Sequence, residues 1–185
     1  MVDFRLRRAA WVVRHGGVIA YPTEVVYGLG CNPWDAGAVY RLLVLKQRPV
    51  GKGLILVAAD IGQLSPFITF PSPSIKERVL ATWPGPVTWV LPIHPGVPAW
   101  LHGGRGSLAV RVSAYPIVAA LCQRTGPLVS TSANLTGHPP CRDTLAIHRR
   151  FGRALDDILP GQVGGLPGST PIFDGLTGKV LRSPS

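Results

Sequence analysis

Leu45 to Gly53 reads LKQRPVGKG and sets Lys46, Arg48 and Lys52 within seven positions. The acids flanking them in the chain, Asp35 and Asp60, are distant. Like charges gathered without an acid repel one another, so an anion from elsewhere is the better account of the cluster. Cations after a helix are also favoured by the helix dipole, but that effect is worth only about 0.3–1 kcal/mol and does not require three of them. A second stretch, VSTSAN at 129–134, strings Ser130, Thr131, Ser132 and Asn134 after an apolar run. Hydroxyls and an amide can receive phosphate or carboxylate oxygens and orient a substrate amine, although the same residues favour caps and turns. A third, YPTEVVYGLG at 21–30, reads as a strand end entering a Gly-rich turn, a place where α/β sheets put ligands. It offers the Thr23 hydroxyl, the flat face and polar tip of Tyr27, and backbone at Gly28 and Gly30 that a ligand can approach closely. Arg111 stands inside the mostly apolar SLAVRVS, where a charge is unusual unless it is paired or faces a cleft.

The familiar phosphate loops are missing. Gly51-Lys52-Gly53 lacks both the earlier glycine and the closing hydroxyl of a P-loop, and no G-x-G-x-x-G, H-E-x-x-H or G-x-S-x-G occurs. Composition points the same way as the clusters. The net charge is +10, carried by fifteen Arg and four Lys, and the guanidinium fork matches phosphate and carboxylate oxygens. From Ala36 to Cys141 the only acids are Asp60 and Glu77, against nine Arg and Lys. That imbalance implies a polyanionic partner, a nucleotide or a nucleic acid, beyond mere solubility. Cys31, Cys122 and Cys141 are far apart and form no C-x-x-C pair, which speaks for reduced thiols in the cytoplasm rather than zinc or disulfides. No apolar run is long enough for a membrane span. The Arg-rich start superficially suggests a transit peptide, but Asp3 and Gly16 frame it as a first helix.

The elements that must hold these groups follow from periodicity and punctuation. Helices are expected at 4–15, 35–47 with Asp35 as cap, 74–83, 116–125 and 143–152, with a short helical turn at 60–65. Strands are expected at 18–21, 54–59, PVTWVLPI, 107–113 and 127–134, with two short candidates in the tail, TPIFD and KVLR. Mixed helices and strands without repeat or linker predict one α/β domain over 1–185, an open twisted mixed sheet with flanking helices.

Three stretches taken together, PTEVVYGLG, KQRPVGKGLILVA and STSANLTGHPPC, with WPGPVTWVLP and SLAVRVS between them, closely resemble the YrdC/TsaC family of threonylcarbamoyl-AMP synthases. The resemblance runs from about Gly17 to Arg182 and keeps the family's order and spacing, as in its short bacterial form. It implies a YrdC-like fold with a concave basic face. It also implies that L-threonine, bicarbonate (or CO₂) and ATP become threonylcarbamoyl-AMP and diphosphate. Mg²⁺ would be held mainly by the ATP phosphates, with no metal site in the protein. Partner proteins would then transfer the threonylcarbamoyl group to an adenosine beside a tRNA anticodon. Carried over by motif position, Lys46, Arg48 and Ser132 become catalytic candidates. Thr23, Tyr27 and Arg111 would face threonine and carbamate. Lys46, Arg48, Lys52, Ser130, Ser132, Asn134 and Arg182 would face ATP. Val25 stands where the family usually has Thr or Ala, and the family's Gly shortly after the final Arg is absent from LRSPS.

A rival from another class is an RNA-binding or ribosome-maturation module that uses the same basic face. Duplex binding spreads cations over a surface, whereas a catalytic pocket also needs Thr23, Ser130 and Asn134 to converge with them.

Overall fold

Residues 2–184 are described by a computed structural model. The strands are β1 (Ile19–Pro22), β2 (Tyr27–Cys31), β3 (Ile55–Ala58), β4 (Thr88–Pro92), β5 (Ser107–Val112), β6 (Leu128–Ser132), β7 (Asp157–Ile158), β8 (Ile172–Asp174) and β9 (Val180–Arg182). They form one open sheet in the order β7-β1-β2-β6-β3-β5-β4-β8-β9. β1/β7, β3/β5 and β4/β8 run parallel and the other neighbours antiparallel, so the sheet is mixed.

The helices are α1 (Val2–Arg14), α2 (Ala36–Lys46), α3 (Ile61–Leu64), α4 (Pro73–Leu80), α5 (Ala99–His102), α6 (Pro116–Thr125) and α7 (Thr144–Phe151). Their starts are chemically marked. Asp35, Asp60, Ser72 and Asp143 each accept a hydrogen bond from a backbone N–H in the first turn. α6 instead opens on Pro116, whose missing N–H is no loss at that position. α2 ends at Gln47, which takes the left-handed conformation (φ 51°) and returns its N–H to Leu43 and Val44, and Pro49 forbids continuation.

Strand alternation then builds two cores. Leu29, Leu56, Val110 and Val129 face one side, under Val39 and Leu42 of α2 and Ile147 of α7. Ile19, Tyr21, Val57 and Leu128 face the other, under Leu6, Ala9 and Val13 of α1 and Val118 and Leu121 of α6. Each large aliphatic side chain taken out of water contributes about 1.5–3 kcal/mol.

Three features differ from the sequence expectation. Gly28 and Gly30 lie within β2, not in a turn, and are paired on both sides, to β1 and β6. The two-residue β7 and the single turn of α5 are too short to leave a periodic signal. α4 stops at Leu80, short of the expected Trp83. The glycine in β2 has a packing cause. A Cβ on Gly30 would come within 2.6 Å of the Val129 carbonyl and 2.7 Å of the Tyr21 ring. Glycine is therefore the space that Tyr21 fills. Gly30→Ala should lower stability by about 1–3 kcal/mol in urea unfolding, because neither the paired backbone nor the enclosed ring can retreat; an unchanged midpoint would contradict this packing.

Candidate functional site

The pairing register decides what meets on the α1/α6 side of the sheet. Arg111 lies opposite Val57, Ile55 opposite Ser130, and Ser132 opposite Gly28. Residues paired in this way share a face, so all of them belong to the face that α1 and α6 cover at Val57 and Leu128. Ile55, Arg111, Ser130, Ser132 and Gly28 border a cavity of about 580 Å³ instead of packing under a helix. Thr23, Arg48, Arg142, Thr170 and Arg182 complete its polar wall. Four guanidinium groups therefore surround one cavity, and no carboxylate is among its described lining residues.

Three of these cations, Arg48, Arg182 and Arg111, are held by the backbone or by one acid. Arg48 donates from Nε and Nη2 to the Gly53 carbonyl at 3.2 and 2.9 Å. Burial and then the charge of Arg105 push its proton affinity below the ordinary arginine value. Arg182 donates to the Thr170 carbonyl at 2.7 Å, and burial followed by Arg111 depresses it likewise. Arg111 is the exception, since the Glu24 carboxylate lies 3.4 Å from its Nη2. Ser113 Oγ donates to the other Glu24 oxygen at 2.7 Å, and Arg111 Nη1 donates to Thr170 Oγ1 at 2.9 Å. Arg111 Nε is buried without a hydrogen-bond partner.

The sequence-selected residues divide into those at the cavity and those behind it. Thr23, Arg48, Arg111, Ser130, Ser132 and Arg182 border it. Thr23 Oγ1 donates to the Val26 carbonyl, and Ser130 Oγ accepts from Tyr21. Burial pushes the Tyr21 phenol up, so it stays a protonated donor. Lys46 is not an unpartnered cation facing the cavity. It is 2% exposed, and its Nζ donates to the Ser132 carbonyl and to both the carbonyl and Oδ1 of Asn134. Its acceptors are neutral oxygens, however, and burial followed by Arg48 lowers its pKa to about 8. Asn134 is consumed by the same turn: Oδ1 accepts from Ser132 Oγ at 2.6 Å and Nδ2 donates to Leu135 and His138. Its amide serves turn geometry and is absent from the cavity lining. Lys52 is exposed and also outside the lining, because its short 3₁₀ turn carries it to the surface. Tyr27 touches the cavity, but its polar tip is spent on Thr144 and Gly161.

Sequence reading missed Arg142, Glu24 and the 168–170 segment. Arg142 directly follows the STSANLTGHPPC stretch, which is the signal that could have found it. Glu24 lies in the quoted PTE, in the loop between β1 and β2, but its partner Arg111 is 87 residues away in β5 and meets it only in the folded chain.

Comparison with known proteins adds an independent finding. The sequence profile of the Sua5/YciO/YrdC family, described as "Telomere recombination", matches residues 12–183. A threonylcarbamoyl-AMP synthase of Nitrosococcus oceani is 51% identical over 181 residues, covering 97% of this chain and 98% of that protein. One from Stenotrophomonas maltophilia is 52% identical over 186 residues, covering 99% and 100%. Among solved structures, P. abyssi Sua5 complexed with L-threonine superposes with a TM-score of 0.87 at 32% identity, over 93% of this chain. The chain spans about half of that Sua5, 51% of its length.

Two outcomes follow from the different settings of Lys46 and Arg48. Lys46→Ala leaves buried carbonyls without a donor and should cost about 1–3 kcal/mol of unfolding free energy. Arg48→Ala should stay within about 0.5 kcal/mol, and equal losses in denaturant titration would contradict the distinction. The depressed Lys46 pKa has a definite sign. Between about 8 and the ordinary 10.5 the folded chain has lost a proton that the unfolded chain keeps, so stability rises with pH in that window. The unfolding free energy of the wild type minus that of Lys46→Met should therefore climb across this window, and a flat difference would refute the buried-lysine assignment.

Proposed function

The chain belongs to the Sua5/YciO/YrdC family, and from that premise we infer that it is a threonylcarbamoyl-AMP synthase, an adenylate-forming transferase acting on ATP and L-threonine. The observation that carries this reading is the cavity itself: four guanidinium groups, no lining carboxylate, and the Thr23, Ser130 and Ser132 side chains at its wall.

The third reactant in this reading is bicarbonate or CO₂. The threonine amine takes up CO₂ and sheds a proton to give a carbamate. A carbamate oxygen attacks the α-phosphorus of ATP, and the bond to the β-phosphate oxygen breaks as diphosphate leaves. No protein nucleophile is required, so the protein acts by placing two anions together, stabilising charge on the phosphates and excluding water from a labile mixed anhydride. In this reading Arg48 and Arg182 meet phosphate oxygens, and Ser132 meets the reacting phosphate. Arg111, already balanced by Glu24, suits the amino-acid side, where one carboxylate and one ammonium must be accommodated together. Thr23 and Ser130 orient the substrate beside it. Lys46 acts through the Ser132–Asn134 turn that it pins.

Among the described residues no group of three or more His, Cys, Asp or Glu side chains could hold a metal ion, and the cavity wall offers no carboxylate. In this proposal Mg²⁺ enters with ATP, bound to its phosphates. Transfer of the threonylcarbamoyl group by further proteins to tRNA, in the cytoplasm, completes the proposed role. No helix among the described residues is long and apolar enough to cross a membrane. The RNA-binding alternative gains no observation of its own, since four of the arginines border one cavity.

Purified protein mixed with ATP, Mg²⁺, threonine and bicarbonate should release diphosphate only when threonine and bicarbonate are both present. Release independent of either one would refute the synthase reading.

A further inference from the structure

Beside the cavity, one arrangement of charge remains without a use. The carbonyls of Gly51, Lys52 and Gly53 receive two guanidinium groups. Arg48 binds Gly53 as described, and Arg105 Nη2 donates to the Gly51 carbonyl at 2.9 Å. Both also reach toward the Lys52 carbonyl, at 3.5 and 3.4 Å. The two loops are fastened together. A Cβ on Gly103 would lie 2.8 Å from the Gly51 carbonyl, and the Leu54 N–H bonds to the Leu101 carbonyl at 2.8 Å. Carbonyl oxygens orient these cations but do not neutralise them. Among the described residues neither Arg48 nor Arg105 forms an ion pair. The repulsion between them shows in Arg48, whose proton affinity is depressed by burial and then by Arg105.

We propose that Arg105, which does not line the cavity itself, is a further substrate-binding residue: with Arg48 it holds the polyphosphate end of ATP and then the departing diphosphate. The inference rests on the synthase reading and adds a residue and an orientation to it. Orientation follows from the uneven distribution of acid. At Arg111 the positive charge is already matched by Glu24, 3.4 Å away, so that end repels a polyphosphate more and accepts a zwitterion better. At Arg48 and Arg105 two cations are fixed next to each other without an acid, which matches a ligand with adjacent anionic groups. A single carboxylate or the lone phosphate of AMP needs only one of them. The bland alternative is that Arg105 merely ties the loop of Gly103 to that of Gly51.

The test compares ligands that differ in phosphate number. Wild type, Arg105→Gln and Arg105→Lys are titrated calorimetrically with ATP plus Mg²⁺, inorganic diphosphate, AMP and L-threonine, with thermal unfolding measured in parallel. The proposal expects Arg105→Gln to weaken ATP and diphosphate by about tenfold while AMP and threonine change less than about twofold, and Arg105→Lys to recover part of the loss. Equal weakening of all four ligands would leave only the loop-tying role and overturn the proposal, as would no change for diphosphate. If Arg105→Gln does not fold, Arg105→Lys decides by the same ratio of diphosphate to AMP. A wild type that binds neither ATP nor threonine would instead overturn the synthase reading, which keeps the two failures separate.

Discussion

Positive charge held in place without being cancelled is the constraint around which this molecule is arranged. At an effective dielectric of about 20, two unit charges 4 Å apart interact by roughly 4 kcal/mol, so a cavity with four guanidinium groups is unfavourable while nothing negative enters it. The protein meets this with neutral oxygens. The Gly53 carbonyl holds Arg48, the Thr170 carbonyl holds Arg182, and the Ser132 and Asn134 oxygens hold Lys46. Such acceptors restore the hydrogen bonds lost on burial and fix direction. They leave the net charge intact for a ligand. Among the described residues that line the cavity, only Arg111 receives a carboxylate, and that single exception makes the two ends of the cavity chemically different.

The sheet makes this arrangement possible because it places distant segments by register. Ser130, Ser132 and Gly28 are fixed relative to one another by the β2–β6 ladder, and Arg111 by the β3–β5 ladder. The Tyr21–Gly30 exchange supports the same wall from behind, since the Tyr21 hydroxyl that fits over Gly30 is the donor that orients Ser130. Packing and chemistry are thus joined in one hydrogen bond. The 168–170 segment is fastened by side chains rather than by a ladder: Thr170 receives both Arg111 and Arg182.

Much of the frame was legible in the sequence because its signals are local. Asp35 and Asp143 announce helix starts one residue ahead, Pro116 opens α6, and the apolar runs at 54–59 and 127–134 contain β3 and β6. The site was legible as a set of segments but not as a set of roles. The spacing of Lys46, Arg48 and Lys52 says that three cations are near one another. It does not say that helix α2 turns Lys46 inward, that Arg48 faces the cavity and that the 3₁₀ turn sends Lys52 out. Glu24 escaped for the related reason that its partner Arg111 is 87 residues away and meets it only in the folded chain. Tyr27 misled because alternation along β2 turns its ring away from the face of Gly28.

The most direct measurement is a crystal structure with a non-hydrolysable ATP analogue and L-threonine bound together. The account predicts triphosphate oxygens within hydrogen-bonding distance of Arg48, and the amino acid at the Arg111–Glu24 end beside Thr23. Phosphates seated away from Arg48, or threonine lying outside this cavity, would contradict it.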